Sequence, residues 1–313
     1  MVHPDPGPAG AGRALRADLA LLAVVAVWGL TFVAVDGAVR LWPPFVFLAA
    51  RFALAVLTLV PFALRRARVG WRPHLLPGCA TGAVLFAGYA LQTWGQVHTT
   101  PAKAAFVTGL SVVLVPACAG PVLGQRIGRA TVAGVILATA GLFLLCLRED
   151  LRMGVGDLLV LGCAFAFAAH ILLVGRFSPR LDPLRFTAVQ LGTAAGAAAL
   201  AAVVLDLPKG LPALHAGVLA AVAFTGILAT SVAFAVQSWA QRHTSATHVA
   251  MLFGAEPVFG ALASWLLVGE SFTLRMLAGC ACILLGMLAA ELGDQWLARR
   301  RSRLAAAARV ENA

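Results

Sequence analysis

Glu256, followed at once by Pro257, stands in the middle of an apolar run. A charged group at membrane depth costs roughly 2.5 to 3.5 kcal/mol on insertion scales, so this carboxylate must face something other than lipid. Either it lines a pathway, where it takes up protons or pairs with a cation, or it anchors a neighbouring helix by a hydrogen bond. Proline lacks the N–H that would close a helical turn, which frees the carbonyl near Phe253 beside the carboxylate. His170 sits in another apolar run and either titrates near neutral pH or packs as a hydrogen-bonded ring. Trp28, Thr31, Tyr89 and Gln190 are further polar or amphipathic groups placed to line a central cavity. Gln92 and Gln96 flank Trp94 as Gln237 and Gln241 flank Trp239. Amides and indoles suit the recognition of polar organic solutes, and equally suit anchoring or gating at headgroup level. Arg51 also lies within an apolar run and needs a partner, either a helix carbonyl or Glu256. Lys103 and His248 each stand just inside the start of a helix, where Lys103 either attracts anionic solutes or snorkels to headgroups.

This set is equipped for binding and proton exchange rather than for breaking bonds. The chain has no Walker-type phosphate loop, no His-Glu-x-x-His metal site and no G-x-S-x-G nucleophile elbow. Its six cysteines fall inside or at the ends of apolar runs, with neither zinc-ligand spacing nor a loop framework for disulfides. No catalytic residue, metal or cofactor is therefore expected. The candidate solute-binding residues are Trp28, Thr31, Tyr89, Gln92, His170, Gln190, Gln237 and Glu256, with Glu256 and His170 as candidates for proton coupling.

The elements that position these residues follow from composition. Of 313 residues, 61% are hydrophobic and only 12% charged, whereas a soluble domain carries about 25% charged residues. Such a chain cannot cover itself in polar groups, so lipid must be its main solvent. Apolar runs near 18–38, 44–64, 74–95, 102–122, 130–148, 156–175, 183–205, 213–239, 247–267 and 275–293 are each long enough to be a candidate membrane helix. Alternating strand patterns are absent, so a β-barrel is not expected. The net charge of +11 sits mostly in short Arg clusters between these runs. It reads as topology signal rather than as a nucleic-acid surface. With the N-terminus inside, 17 of the 24 Lys and Arg fall on the inner side and six outside, Arg51 being within a span. Both termini are expected in the cytoplasm.

The chain repeats itself. Residues 92–145 recur at an offset of 145: Gln92-Thr-Trp-Gly-Gln-Val-His-Thr-Thr100 returns as Gln237-Ser-Trp-Ala-Gln-Arg-His-Thr-Ser245, and Gly109, Gly124, Gly134 and Gly141 fall on Gly254, Gly269, Gly279 and Gly286. Upstream, Trp28–Pro44 aligns with Phe167–Pro183 at an offset of 139, so extra residues enter the second copy, for which Asp206–Pro212 is a suitable loop. Five helices per copy is an odd number, which inverts the second copy relative to the first. Inverted repeats are the layout that exchanges inward-open and outward-open states. The expected organisation is a flexible cytoplasmic N-terminus 1–17, a first five-helix repeat 18–148, an external linker 149–155, a second repeat 156–293 and a basic cytoplasmic tail 294–313. The glycines spaced by seven in the fifth and tenth helices mark packing or dimer contacts.

Trp28-Gly-Leu-Thr-Phe-Val33, Pro43-Pro44 and Ala50-Arg51-Phe52, together with Glu256-Pro257-Val258-Phe259 and Gly269-Glu270, resemble the EamA-like branch of the drug/metabolite transporter superfamily. The resemblance covers about residues 18–293. The first copy departs from it, with Gly124-Gln125 in place of Gly-Glu. It implies an all-α integral membrane protein of ten transmembrane helices in two inverted repeats, N-in and C-in, around a central cavity. It also implies export of small metabolites, such as amino acids or drug-like compounds. The resulting expectation is a secondary transporter working by alternating access, either proton-coupled or an uncoupled facilitator. It is placed in a bacterial plasma (inner) membrane, with a small-molecule substrate and lipid as partners, no nucleic acid, and a monomeric or homodimeric state. The readings from other classes are a non-transporting scaffold or sensor, and a membrane-embedded enzyme, for which no catalytic cluster is apparent.

Overall fold

A computed structural model describes residues 8–65, 70–99, 101–125, 127–146, 154–210, 212–263, 265–266 and 273–290. The described residues are helical with short connections and contain no strand. The apolar helices are α1 (Pro8–Val39), α2 (Pro44–Leu64), α3 (Arg72–Gln96), α4 (Ala104–Leu123), α5 (Arg129–Cys146), α6 (Val155–Phe177), α7 (Pro183–Ala201), α8 (Ala216–Ala240), α9 (Ala246–Ala263) and α10 (Leu274–Ala290). Among the described residues, eight helical segments are long and apolar enough to cross a membrane, with α7 counted through to Asp206. The expected fifth and tenth spans are described only as the shorter Arg129–Leu144 and Leu274–Ala290. Residues 1–7, most of the expected linker 149–155 and all of the tail 294–313 lie outside the described residues, as does Gly269-Glu270.

Local chemistry sets the helix ends. Pro44 and Pro183 occupy first-turn positions, where a missing N–H costs nothing. Asp182 caps α7 by accepting from the Arg185 N–H at 3.1 Å, and Ser245 caps α9 by accepting from the His248 N–H at 3.1 Å. Helix α2 has no side-chain cap of its own. Its free N–H groups are met instead by Asp206, whose Oδ2 accepts from Phe45 N at 2.8 Å and Val46 N at 3.2 Å. The loop that sequence comparison marks as an insertion thus begins with the cap of a distant helix. Gly124 ends α4 at φ +67°, a left-handed conformation suited to glycine.

Helix packing follows the duplication. α1 packs on α8 and α9, and α6 packs on α3 and α4; α2 packs on α8, and α3 on α7. α2 also meets α7, and α4 meets α9. Pairing α1 with α6, α2 with α7, α3 with α8 and α4 with α9 maps each of these contacts onto another in the set, or onto itself. Helices α5 and α10 lie against each other through the repeated glycines. A Cβ on Gly141 would come 2.6 Å from the Gly279 carbonyl oxygen, and one on Gly286 would come 2.6 Å from the Gly134 carbonyl oxygen. The small-residue faces of these helices are therefore filled within the chain.

Two helices are interrupted beside residues that line the cavity. α4 is interrupted at Leu110 and α9 at Gly254–Ala255, positions related by the 145-residue offset. α8 widens over Ile227–Val232 into a π-helical stretch, which breaks the ordinary hydrogen-bond register and is frequent at functional sites.

Candidate functional site

A central cavity is lined from both halves, by α1, α2, α3 and α4 of the first and α6, α8 and α9 of the second. The cavity volume is about 60 Å³, room for roughly two waters at ~30 Å³ each. The cavity is narrow in this conformer.

Aromatic rings form much of the wall. Trp28 on α1 stands edge to face with Phe253 at 4.8 Å and tilted against Phe234 at 5.7 Å. Its indole N–H donates to the Ala229 carbonyl at 2.8 Å, inside the widened stretch of α8. Tyr89 on α3 packs edge to face with Phe167 at 5.2 Å. Thr31 lines the cavity, but its hydroxyl donates back to the Trp28 carbonyl at 2.7 Å.

Charge enters through two groups. Arg51 on α2 is 2% exposed. Its Nε donates to Thr230 Oγ1 at 2.7 Å and its Nη2 to the Tyr89 hydroxyl at 3.2 Å, with the guanidinium 4.4 Å from the Tyr89 ring centroid. Thr230 in turn donates to the Thr225 carbonyl, five residues back, at 2.8 Å. Arg51 is therefore held by a hydroxyl, a phenol and a ring face, where sequence reasoning expected a helix carbonyl or Glu256. Glu256, at the break in α9, is half-buried and lines the same cavity. Among the described residues it makes no side-chain hydrogen bond, and no ion pair with Arg51 within 4 Å. It remains close enough to Arg51 to interact electrostatically. Glu256 thus belongs to the wall of the cavity that Arg51 also lines.

The other candidates divide. His170 lines the cavity, 2% exposed, with Nε2 3.0 Å from Gln190 Oε1 and its ring edge to face with Phe234 at 5.4 Å. Gln190 is fully buried and does not line the cavity: it stands behind His170 and orients the ring. Gln92 lines the cavity and donates to Thr108 Oγ1 at 3.2 Å; Gln237 lines it and donates to Gln241 Oε1 at 2.9 Å. Trp28, Thr31, Tyr89, Gln92, His170, Gln237 and Glu256 are therefore brought to one cavity, and Gln190 supports it from behind. Arg51, Gln96, Thr108 and Ser111 also line it. Arg51 stands out in the sequence as a charge within an apolar run, and Ser111 could have been found as the twin of Glu256. His248 Nε2 lies 2.9 Å from Asp18 Oδ1, joining α9 to α1. The side chain of Lys103 lies outside the described residues.

The arrangement supplies an apolar, aromatic sleeve for the body of a solute and a few convergent polar groups to orient it, the usual build of a small-molecule site. The described residues contain no cluster of three or more His, Cys, Asp or Glu that could hold a metal.

Comparison with known proteins places this architecture. The model of the EamA-like transporter family matches residues 15–147 and again 154–290. An uncharacterized transporter of Archaeoglobus fulgidus is 30% identical over 91% of this chain and 89% of its own length. A chloroplastic WAT1-related protein of Arabidopsis thaliana is 25% identical over 83% of this chain and 66% of its own. A solved crystal structure superposes with a TM-score of 0.75 at 23% identity, covering 88% of this chain and 98% of that one. That last likeness concerns the fold alone.

Proposed function

This chain belongs to the EamA-like transporter family within the drug/metabolite transporter superfamily and is a multi-pass membrane transporter, and we propose that it exports small amphipathic metabolites, amino acids or related solutes, through the central cavity by alternating access. One observation carries this reading. Both halves contribute to a single cavity that aromatic rings line together with Glu256, a carboxylate with no hydrogen-bond partner among the described residues. In this reading the solute's apolar body rests against Trp28, Phe253 and Phe234, and its polar head meets Glu256 and the amides of Gln92 and Gln237.

The two halves are inverted five-helix repeats, with α5 and α10 as the remaining spans and both termini in the cytoplasm of a bacterial cell. The matched pattern of contacts between helices supports the duplication, and the Lys and Arg bias of the connections supports the orientation. Proton exchange at Glu256 supplies the driving force, and His170 stands on the same cavity wall.

Purified protein in proteoliposomes tests the proposal. A panel of the L-amino acids is first screened for thermal stabilisation, since a ligand that binds only the folded state raises its melting temperature. Flux of each stabilising solute is then measured with and without a pH gradient. The proposal expects flux driven against a concentration gradient by protons and lost in Glu256→Gln. Flux that only equalises concentrations and survives Glu256→Gln would identify an uncoupled facilitator instead.

A further inference from the structure

The two copies differ at one hydrogen-bonded relay. In the second copy, Gln237 Nε2 donates to Gln241 Oε1 at 2.9 Å, and Gln241 Nε2 donates to the Ile171 carbonyl at 2.9 Å. This ties the end of α8 to the last third of α6. The offset of 145 carries Gln237 and Gln241 onto Gln92 and Gln96, and the offset of 139 carries Ile171 onto Phe32. The counterpart relay would therefore run from Gln92 through Gln96 to the Phe32 carbonyl, tying the end of α3 to α1.

In this conformer the counterpart is not made. Gln92 Nε2 turns to Thr108 Oγ1 at 3.2 Å, a partner the second copy cannot offer because Phe253 stands at the twin position. Gln96 is 4% exposed, and its Nε2 has no hydrogen-bond partner among the described residues. A buried donor left unpaired is costly, and a bond from Gln96 to the Phe32 carbonyl would satisfy it. The cavity shows the same asymmetry at one pair: Gln96 lines it and Gln241 does not, while Phe32 and Ile171 both do. Of the two glutamines that end the relays, only Gln96 reaches the cavity.

We propose that Gln241 and Gln96 form a reciprocal gate. The Gln237–Gln241–Ile171 relay closes one end in this conformer, and a Gln92–Gln96–Phe32 relay closes the other when the first opens. The inference rests on the alternating-access reading above. Its logic is that two copies of one unit, inverted across the membrane, have the same conformations open to them. Exchanging those conformations between copies turns this structure into its opposite-facing form. The unpaired amide of Gln96 is then the gate bond of the other state, vacant in this one. Because each glutamine is bonded in only one state, removing it shifts the balance between states, and the two removals shift it in opposite directions.

The test is the accessibility of a cavity thiol in the full chain. Ser111, which lines the cavity, is replaced in S111C on a background whose six native cysteines are alanine. A membrane-impermeant maleimide is applied to right-side-out and inside-out vesicles. Gln241→Leu is expected to raise the labelling rate from the Gln241 face relative to the Gln96 face by about three- to tenfold, the range for one hydrogen bond between membrane helices. Gln96→Leu is expected to lower that ratio by a similar factor, and the double substitution to return it toward the parent value. Should Gln241→Leu fail to fold, Gln241→Met, of similar length but without the amide, removes the same bond to the Ile171 carbonyl and carries the same expected direction. The gate is overturned if both single substitutions move the ratio in one direction, or if neither moves it while both faces remain labelled. Labelling confined to one face in every variant, with or without solute, would instead contradict alternating access itself.

Discussion

Gly29→Ala tests how closely α1 and α9 must approach to build the cavity. A Cβ at residue 29 would come 2.7 Å from Gly260 N, 2.8 Å from Phe259 Cβ and 2.9 Å from the Glu256 carbonyl oxygen, where ordinary contact begins at 3.4 Å. Two of these three atoms are backbone and cannot swing aside. The helices must therefore part by up to about 0.7 Å, the difference between 3.4 and 2.7 Å. Overpacking of this kind costs about 1–3 kcal/mol. At ~2–4 °C per kcal/mol for a chain of this size, the melting midpoint should fall by roughly 2–12 °C. Gly37, on the same helix, has nothing within 4 Å of its added Cβ. Gly37→Ala should be neutral or gain up to ~1 kcal/mol from helix propensity. Both variants are melted in the same detergent by intrinsic fluorescence. Trp28 and Glu256 flank the contact, so Gly29→Ala should also reduce transport. If Gly29→Ala melts with Gly37→Ala, at or above the parent temperature, the described contact between α1 and α9 is wrong.

Three further perturbations have defined outcomes. Asp206→Ala removes the acceptor that caps α2 through Phe45 N and Val46 N, and should cost about 1–2 kcal/mol, read as a lower melting midpoint. Gly134→Ala places a Cβ 2.8 Å from that of Ala290 and against the Gly286 carbonyl. It should destabilise by about 1–3 kcal/mol, while Gly196→Ala, with nothing within 4 Å, should be tolerated in the same melt. Gln190→Leu strips His170 Nε2 of its buried partner, an unsatisfied group worth about 1–3 kcal/mol. Transport normalised to folded protein should fall as well, because the ring it releases forms part of the cavity wall.

Much of this architecture was legible because lipid punishes exceptions. Long apolar runs marked the helices, and a single Glu-Pro pair marked the break in α9 that turns Glu256 into the cavity. The 145-residue offset marked the two copies, and the contacts between helices repeat between them. Partner choice was less legible. Arg51 reaches Thr230, 179 residues away, and Thr230 is aimed there by the π-helical stretch of α8. A turn widened by one residue rotates everything after it relative to an ordinary helix, so straight helical counting cannot find this pair. Thr31 reads in sequence as a group for solute, yet its hydroxyl is taken by its own helix. Gln190 reads as a lining residue, yet the rotation of α7 places it behind His170. Asp206 reads as part of a loop, and only the three-dimensional arrangement makes it the cap of α2.

The central claim is that one cavity, centred on Glu256 and walled by both halves, is exposed alternately to the two sides of the membrane. Trans-stimulation tests it most directly: proteoliposomes are loaded with an unlabelled solute chosen for its thermal stabilisation, and uptake of the labelled solute from outside is followed. Alternating access through this cavity expects internal solute to accelerate entry of the label, and Glu256→Gln to abolish the acceleration while the protein stays folded. Uptake that is indifferent to internal solute, or identical in the parent and Glu256→Gln, would contradict the account.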